Sequence, residues 1–218
     1  MAIAPFQVTT LQQVVAPRLP ASPVEYDQRF MDEFIRILRL YFNQLDNLNA
    51  GLIGGSGGQY LSFPYGAFSS GVTQTAASNT ATVLTFNTTD FTNGFSIVSS
   101  SRITASVAGL YNLQFSVQLQ NLSTAPEDIY IWLRQNGTDI VGSTGKVGLL
   151  ARKNPGDPSH DIKGWNYYIS MAAGDYLEIY WSTSNGTDVS IPYYPASGSP
   201  TKPSTQSVVA TMQFVSRI

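Results

Sequence analysis

Hydrophobic and polar residues alternate most regularly between Gly109 and Gln120. Tyr111, Leu113, Phe115, Val117 and Leu119 interleave with Asn112, Gln114, Ser116, Gln118 and Gln120, and successive side chains on a strand point to opposite faces. The pattern predicts a long, half-buried strand. Its polar face carries amides and a hydroxyl and no charge, which suits a surface covered by another sheet edge or another subunit. Gly109 supplies a turn without a Cβ penalty.

Shorter alternating runs follow one another from residue 60 onward, at 65–72, 80–86, 94–99, 101–107, 109–120, 128–136, 145–152, 162–171, 175–182, 187–192 and 206–216. Turn residues separate them: Thr92-Asn93-Gly94, Asn136-Gly137, Asn154 to Pro158, Ala173-Gly174-Asp175 and Asn185-Gly186. About ten strands at this spacing predict a mainly β domain, an antiparallel sandwich or jelly roll. In the last run Val208, Ala210, Met212 and Phe214 share one face. A closing strand of this kind is expected to insert between others, so its removal would unfold the domain.

Ahead of the strands the period changes to that of a helix. Ser22-Pro23-Val24-Glu25 has the form of a capping box with proline at the first helical position. Val24, Met31, Phe34, Leu38, Tyr41, Leu45 and Leu48 recur at intervals of three and four, with Asp27 as the one polar member. Phe30, Ile35, Ile37 and Phe42 broaden the stripe. The predicted helix covers 23–50 and stops at Asn49-Ala50-Gly51. No second helix is at hand to cover its apolar face. It either folds back on the β domain or packs against copies of itself or another protein through Met31, Phe34, Leu38, Tyr41, Leu45 and Leu48. Residues 1–22, rich in proline, read as an extended arm, either disordered or ordered by docking on a partner. Residues 51–58 hold five glycines in eight positions and read as a hinge before a domain spanning 59–218.

Composition narrows the function. Charged residues make up 12% of the 218, roughly half the usual share, and net charge is -2. Without a run of Lys or Arg there is no electrostatic footprint for nucleic acid. The absence of cysteine excludes disulfides, thiolate metal sites and cysteine nucleophiles. The start of the chain lacks a basic segment followed by an apolar one, so no signal peptide is expected. No apolar run approaches the ~18–20 residues of a membrane helix, so membrane insertion is not expected. N-x-Ser/Thr sequences at Asn87, Asn121, Asn136 and Asn185 read as products of an Asn/Ser/Thr-rich chain.

Little in the chain suggests catalysis. His160 is the sole histidine and sits in a Pro/Gly/Asp loop. No Gly-x-Ser-x-Gly elbow accompanies it, and one histidine without cysteine makes a poor zinc site. Asp157 with Asp161, or Glu127 with Asp128, could hold calcium, but solvated loop charges are the favoured explanation. No cofactor, metal ligand or catalytic residue is assigned, and an enzyme is not expected.

The segments 86–97 (FNTTDFTNGFSI), 101–120 (SRITASVAGLYNLQFSVQLQ), 129–143 (IYIWLRQNGTDIVGS), 165–182 (WNYYISMAAGDYLEIYWS) and 207–214 (SVVATMQF) resemble the complement/tumour-necrosis-factor-like jelly roll. They more closely resemble the version found in virion structural proteins of tailed bacteriophages. Gly-x-Tyr, Trp-Leu-Arg-x-Asn-Gly and Ala-Gly-Asp-Tyr carry the likeness. FIRILRLYFNQLDN (34–47) is similar to a leader that precedes such domains, while 153–161 and 193–204 depart from the pattern. The resemblance implies a compact homotrimer with aromatic residues of one sheet around the threefold axis. Tyr111 is the residue carried over, with Phe115, Tyr180 and Phe214 beside it, and intrachain core is the alternative for all four. It further implies a non-enzymatic phage virion protein, made in the host cytoplasm, that decorates a capsid or forms a short fibre and attaches to other virion proteins through residues 1–50. The second function is a host-receptor or glycan-binding tip of a tail fibre. Its stacking candidates are Trp132, Trp165, Trp181, Tyr193 and Tyr194, of which Tyr193 and Tyr194 lie in a loop and are the ones free to face a ligand.

Overall fold

The computed structural model describes residues 15–21, 23–53 and 63–217, with backbone alone for 50–53. Most of the arm, Ser22 and all but the start of the glycine-rich segment lie outside the described residues. The chain divides into two compact units, 1–62 and 63–218.

In the first unit one helix, α1, runs Gln28–Ile53, roughly 40 Å at ~1.5 Å per residue. It begins five residues later than the capping-box reading placed it. Asp27 caps it instead: its carboxylate accepts the Arg29 N–H at 2.9 Å and its carbonyl accepts the Met31 N–H at 3.1 Å. A carboxylate at this position also opposes the positive end of the helix dipole. The Asn49-Ala50-Gly51 stop does not hold, because the helix continues to Ile53. None of its described side chains is fully buried; Phe30, Phe34, Ile37, Leu38, Tyr41, Leu45 and Leu48 are half-buried, and Met31, Ile35 and Phe42 are exposed.

The second unit is all β. Its strands are β1 (Tyr65–Ser70), β2 (Thr82–Val83), β3 (Thr88–Asn93), β4 (Phe95–Val98), β5 (Arg102–Ala105), β6 (Gly109–Asn121), β7 (Glu127–Gln135), β8 (Thr138–Asp139), β9 (Gly145–Leu149), β10 (Ser159–Met171), β11 (Tyr176–Thr183), β12 (Val189–Ser190), β13 (Ser197–Gly198), β14 (Thr201–Lys202) and β15 (Val208–Ser216). One sheet has the order β10-β6-β15-β1-β3, with β12 also on β6; the other runs β4-β5-β11-β7-β8, with β2 on β11 and β9 on β7. The pairings within both sheets are antiparallel. From β5 to β15 the long strands pass repeatedly from one sheet to the other, the winding of a jelly roll. As expected, the last strand inserts between others, with β6 on one side and β1 on the other.

Alternation builds the core between the sheets. Tyr111, Leu113, Phe115, Val117 and Leu119 of β6 and Val208, Ala210 and Met212 of β15 face Ile129, Ile131 and Leu133 of β7 and Leu177, Ile179 and Trp181 of β11. Trp181, Tyr111 and Phe68 are the largest fully buried side chains. Each contributes on the order of 3 kcal/mol or more by leaving water.

Differences from the sequence reading cluster at short strands. The runs expected at 80–86 and 187–192 shrink to two-residue pairs, because the flanking backbone bonds to loops rather than to a ladder: Phe86 N–H to Ser100 O at 2.7 Å and Leu122 N–H to Asp188 O at 2.9 Å. β3 was not anticipated; TTDFTN lacks alternation because nearly all of it is exposed at a sheet edge. β8, β13 and β14 were likewise unforeseen. The Asn136-Gly137 signal joins β7 to β8 with φ of +49° and +80°, the primed turn that suits a two-residue hairpin. Asn185-Gly186 works differently. A Cβ at Gly186 would sit 2.1 Å from the Ala76 carbonyl oxygen, so glycine there permits close backbone approach.

Candidate functional site

The outward positions of the first sheet form a continuous face that the register defines. Rows run Gly164–Ser116–Val209–Ser69–Thr88, then Asn166–Gln114–Thr211–Ala67–Phe91, then Tyr168–Asn112–Gln213–Tyr65–Asn93. None of these fifteen positions is charged. Asp161 and Lys163 of β10 have the opposite parity, and Asp90 lies in the register shift of β3. Tyr168 and Phe91 are 67% and 62% exposed, and Tyr65, Val209 and Val215 are exposed as well. At the centre is a hollow of about 480 Å³ lined by Gln114, Ser116, Gly164, Asn166, Val209 and Thr211, with Phe115 and Trp165 beside it. Gly164 has no side chain to fill it.

The outward face of the second sheet has the opposite character. Arg134 Nε donates to Asp139 Oδ1 at 2.8 Å, and its guanidinium lies 4.0 Å from the centroid of the Tyr180 ring. Trp132 Nε1 donates to the same carboxylate oxygen at 2.8 Å. Lys146 pairs with Asp128 at 2.8 Å, and Arg102 lies 3.4 Å from Glu178 and 4.4 Å from the Tyr176 ring centroid. The bond from Arg134, then that from Trp132, holds the Asp139 carboxyl below its ordinary range, and Asp128 raises the Lys146 ammonium. Arg134, Asp139, Lys146 and Asp128 pair at the surface, as solvated charges do, whereas Glu178 is buried beneath Arg102.

Of the four aromatic residues expected around a threefold axis, Tyr111, Phe115 and Phe214 pack in the core of their own chain and Tyr180 faces outward on the other sheet. Tyr111 is fully buried in its own chain, edge-on to Phe95 at 4.9 Å and Phe214 at 5.8 Å. Its hydroxyl donates to Val107 O at 2.6 Å, and burial raises its pKa. Phe115 is buried and stacks on Trp165 at 5.2 Å. Phe214 packs against the same core and stacks on Phe63 at 5.7 Å. Tyr180 lies on the outward face of the other sheet, in the Arg134 and Trp132 cluster. The parity explains this placement: on β6 and β15 the apolar set looks into the sandwich, and the uncharged polar set, Asn112 to Gln120, looks out. That polar alternation was the available signal for the outward face; the exposed apolar residues on β3 and β10 were not anticipated.

Of the stacking candidates, Trp181 is fully buried and Trp165 covers Gly145, whose added Cβ would lie 2.7 Å from the indole nitrogen. Tyr193 is half-buried, its N–H donating to Thr73 Oγ1 at 3.0 Å. Tyr194 is half-buried and reaches His160 and Gln120. Three of the four carboxylates weighed for calcium have side-chain partners: Glu127 accepts from Ser184 and Asn185, Asp128 from Lys146, and Asp161 from Lys163. Among the described residues no group of three or more His, Cys, Asp or Glu is placed to hold a metal ion, and no helix is long and apolar enough to cross a membrane.

One carboxylate, in the Ala173-Gly174-Asp175 turn, organises the β10–β11 connection. Asp175 accepts from the Ala172 N–H at 2.8 Å, from Asn136 Nδ2 at 2.7 Å and from Gln135 Nε2 at 3.2 Å. These bonds, the backbone one foremost, lower its pKa. A depressed carboxyl stabilises the fold above its unfolded value of about 4 and loses that contribution as pH falls through its folded value. Asp175→Asn is expected to cost about 1 kcal/mol at pH 7 and to narrow the gap from wild type under acid conditions. Urea unfolding at pH 7 and near pH 3 checks this; an undiminished gap at low pH refutes it.

No protein-family model matches the chain, and no significant match to a curated protein is found.

Proposed function

We propose that this chain is a non-enzymatic, homotrimeric structural protein of a tailed-phage virion, a capsid decoration or short fibre, attached to other virion proteins through its N-terminal arm and helix. The observation that carries the reading is the contrast between the two outward faces. One is laced with charges that pair within the chain. The other has exposed aromatic and aliphatic side chains among neutral amides, with a hollow at its centre. A neutral face suits burial against a copy of itself, because no charge has to leave water. The resemblance of the strand segments supplies the threefold symmetry and the virion setting.

The helix supports the attachment role. Its apolar stripe has no fully buried side chain among those described, which leaves Phe34, Leu38, Tyr41, Leu45 and Leu48, with Met31 at the margin, for a partner. Three weak anchors on one trimer hold far more tightly than one.

Light scattering on the full chain tests the assembly. A mass three times the 23.7 kDa of one chain is expected, and a monomer at micromolar concentration overturns the reading. Phe34→Asp combined with Leu38→Asp is expected to abolish co-sedimentation with particles while the β domain stays folded and trimeric. Retained co-sedimentation would move the attachment site off the helix.

A further inference from the structure

The segment between β12 and β15, where the resemblance is lost, folds over the start of β10. Tyr194 and Thr205 exchange backbone hydrogen bonds at 3.0 and 2.8 Å, closing a loop that contains the β13–β14 hairpin. This brings Tyr194 and Lys202 to His160, Asp161 and Ile162 of β10 and Gln118 of β6, which together line a hollow of about 570 Å³. Small-molecule sites commonly measure ~300–1,000 Å³. β10 is the edge strand of its sheet, so the hollow lies at the rim of the uncharged face.

Its polar groups are held in place. The Tyr194 hydroxyl donates to Gln120 Oε1 at 2.9 Å, so its one proton is committed, and His160 Nδ1 at 3.0 Å donates to the hydroxyl oxygen. In the neutral ring that tautomer leaves Nε2 as an acceptor. Asp161 is offset by Lys163 at 2.8 Å and accepts the Ile162 N–H at 2.8 Å. Lys202 differs from Lys146 and Lys163, which pair with Asp128 and Asp161. Its Nζ donates to Pro195 O at 2.8 Å and lies 5.7 Å from the Tyr194 ring centroid, but it forms no ion pair among the described residues. Ile162, 62% exposed, adds an apolar surface.

We infer that this hollow binds a carboxylated pyranose, an acidic residue of a surface polysaccharide. Lys202 meets the carboxylate, Gln118 and His160 meet hydroxyls as donor and acceptor, and Ile162 packs under the ring C–H face. A phosphate fits less well. A dianion seeks two or more cations, and the one unpaired cation here stands near the Asp161 carboxylate. The inference requires neither a trimer nor a virion, since the lining residues come from one chain.

Titration calorimetry of the full chain tests it with two acidic probes, a glucuronate trisaccharide and N-acetylneuraminate, and with the carboxyl-reduced trisaccharide as the neutral comparison. At least one acidic probe is expected to bind, roughly tenfold more tightly than the neutral one, as suits one charge-assisted hydrogen bond. Lys202→Gln is expected to remove that preference, Ile162→Ala to weaken acidic and neutral sugars alike, and Lys146→Gln on the other sheet to change neither. Thermal unfolding establishes that each variant is folded. Failure of both acidic probes to bind, equal affinity for the reduced sugar, or an unchanged preference in folded Lys202→Gln overturns the assignment.

Discussion

Tyr111→Asp is expected to unfold the β domain rather than separate its subunits. The side chain is wholly enclosed by its own chain, in edge contact with Phe95 and Phe214 and bonded through its hydroxyl to Val107 O. Truncating a buried aromatic costs about 3–5 kcal/mol. The aspartate then has to be buried as a carboxylate or take up a proton, at a further cost of several kcal/mol. Together these approach the whole stability of a domain, ~5–15 kcal/mol. Circular dichroism and urea unfolding are expected to reveal loss of cooperative structure at 25 °C. A variant that retains a native spectrum and elutes as a folded monomer would return Tyr111 to a subunit interface.

Val209→Asp with Thr211→Asp is expected to do the reverse, leaving a folded domain that no longer self-associates. Both residues face outward on β15 beside the central hollow, Val209 opposite Ser116 and Ser69, Thr211 opposite Gln114 and Ala67. Within one chain the new carboxylates reach water, and exposed substitutions of this kind shift stability by about 0.5 kcal/mol each. In the assembly they are buried in every copy without a cation, because the surrounding rows hold no Lys or Arg. An unpaired buried charge costs about 3–5 kcal/mol, so the double variant is expected to raise the dissociation constant by at least a thousandfold. Light scattering and urea unfolding on one preparation separate the two effects. An unchanged mass places self-association on some other surface, and loss of folding together with mass would mean that β15 is more tightly packed than its exposure indicates.

The two variants lie on neighbouring strands and differ in which side of the sheet they occupy. That choice of side is where sequence and structure part. Alternation from Gly109 to Gln120 and from Val208 to Phe214 determined by itself that these are strands, that one set of side chains is apolar and the other neutral, and that the domain is antiparallel β. Such patterns are legible because a strand has a period of two and a half-buried face selects residues position by position. The helix was legible for the same reason at a period of 3.6, although its start was not. Ser22-Pro23-Val24-Glu25 and Asp27 both supply capping groups, and local sequence does not rank two adjacent caps.

Which face is sandwiched and which is left outward was decided by tertiary structure. The apolar set on β6 met an apolar set on β7 and β11, and that contact consumed Tyr111, Phe115 and Phe214 in the core. The outward face then had to be built from residues of five strands far apart in sequence, Phe91 and Tyr168 among them. No local pattern marks a surface assembled that way. The hollow beside Lys202 is of the same kind: Gln118, Ile162 and Lys202 meet because a loop closed by Tyr194 and Thr205 folds back over an edge strand. Periodicity records what each residue prefers to face, whereas contact between distant segments depends on how the strands are ordered and registered, and only the folded chain determines that.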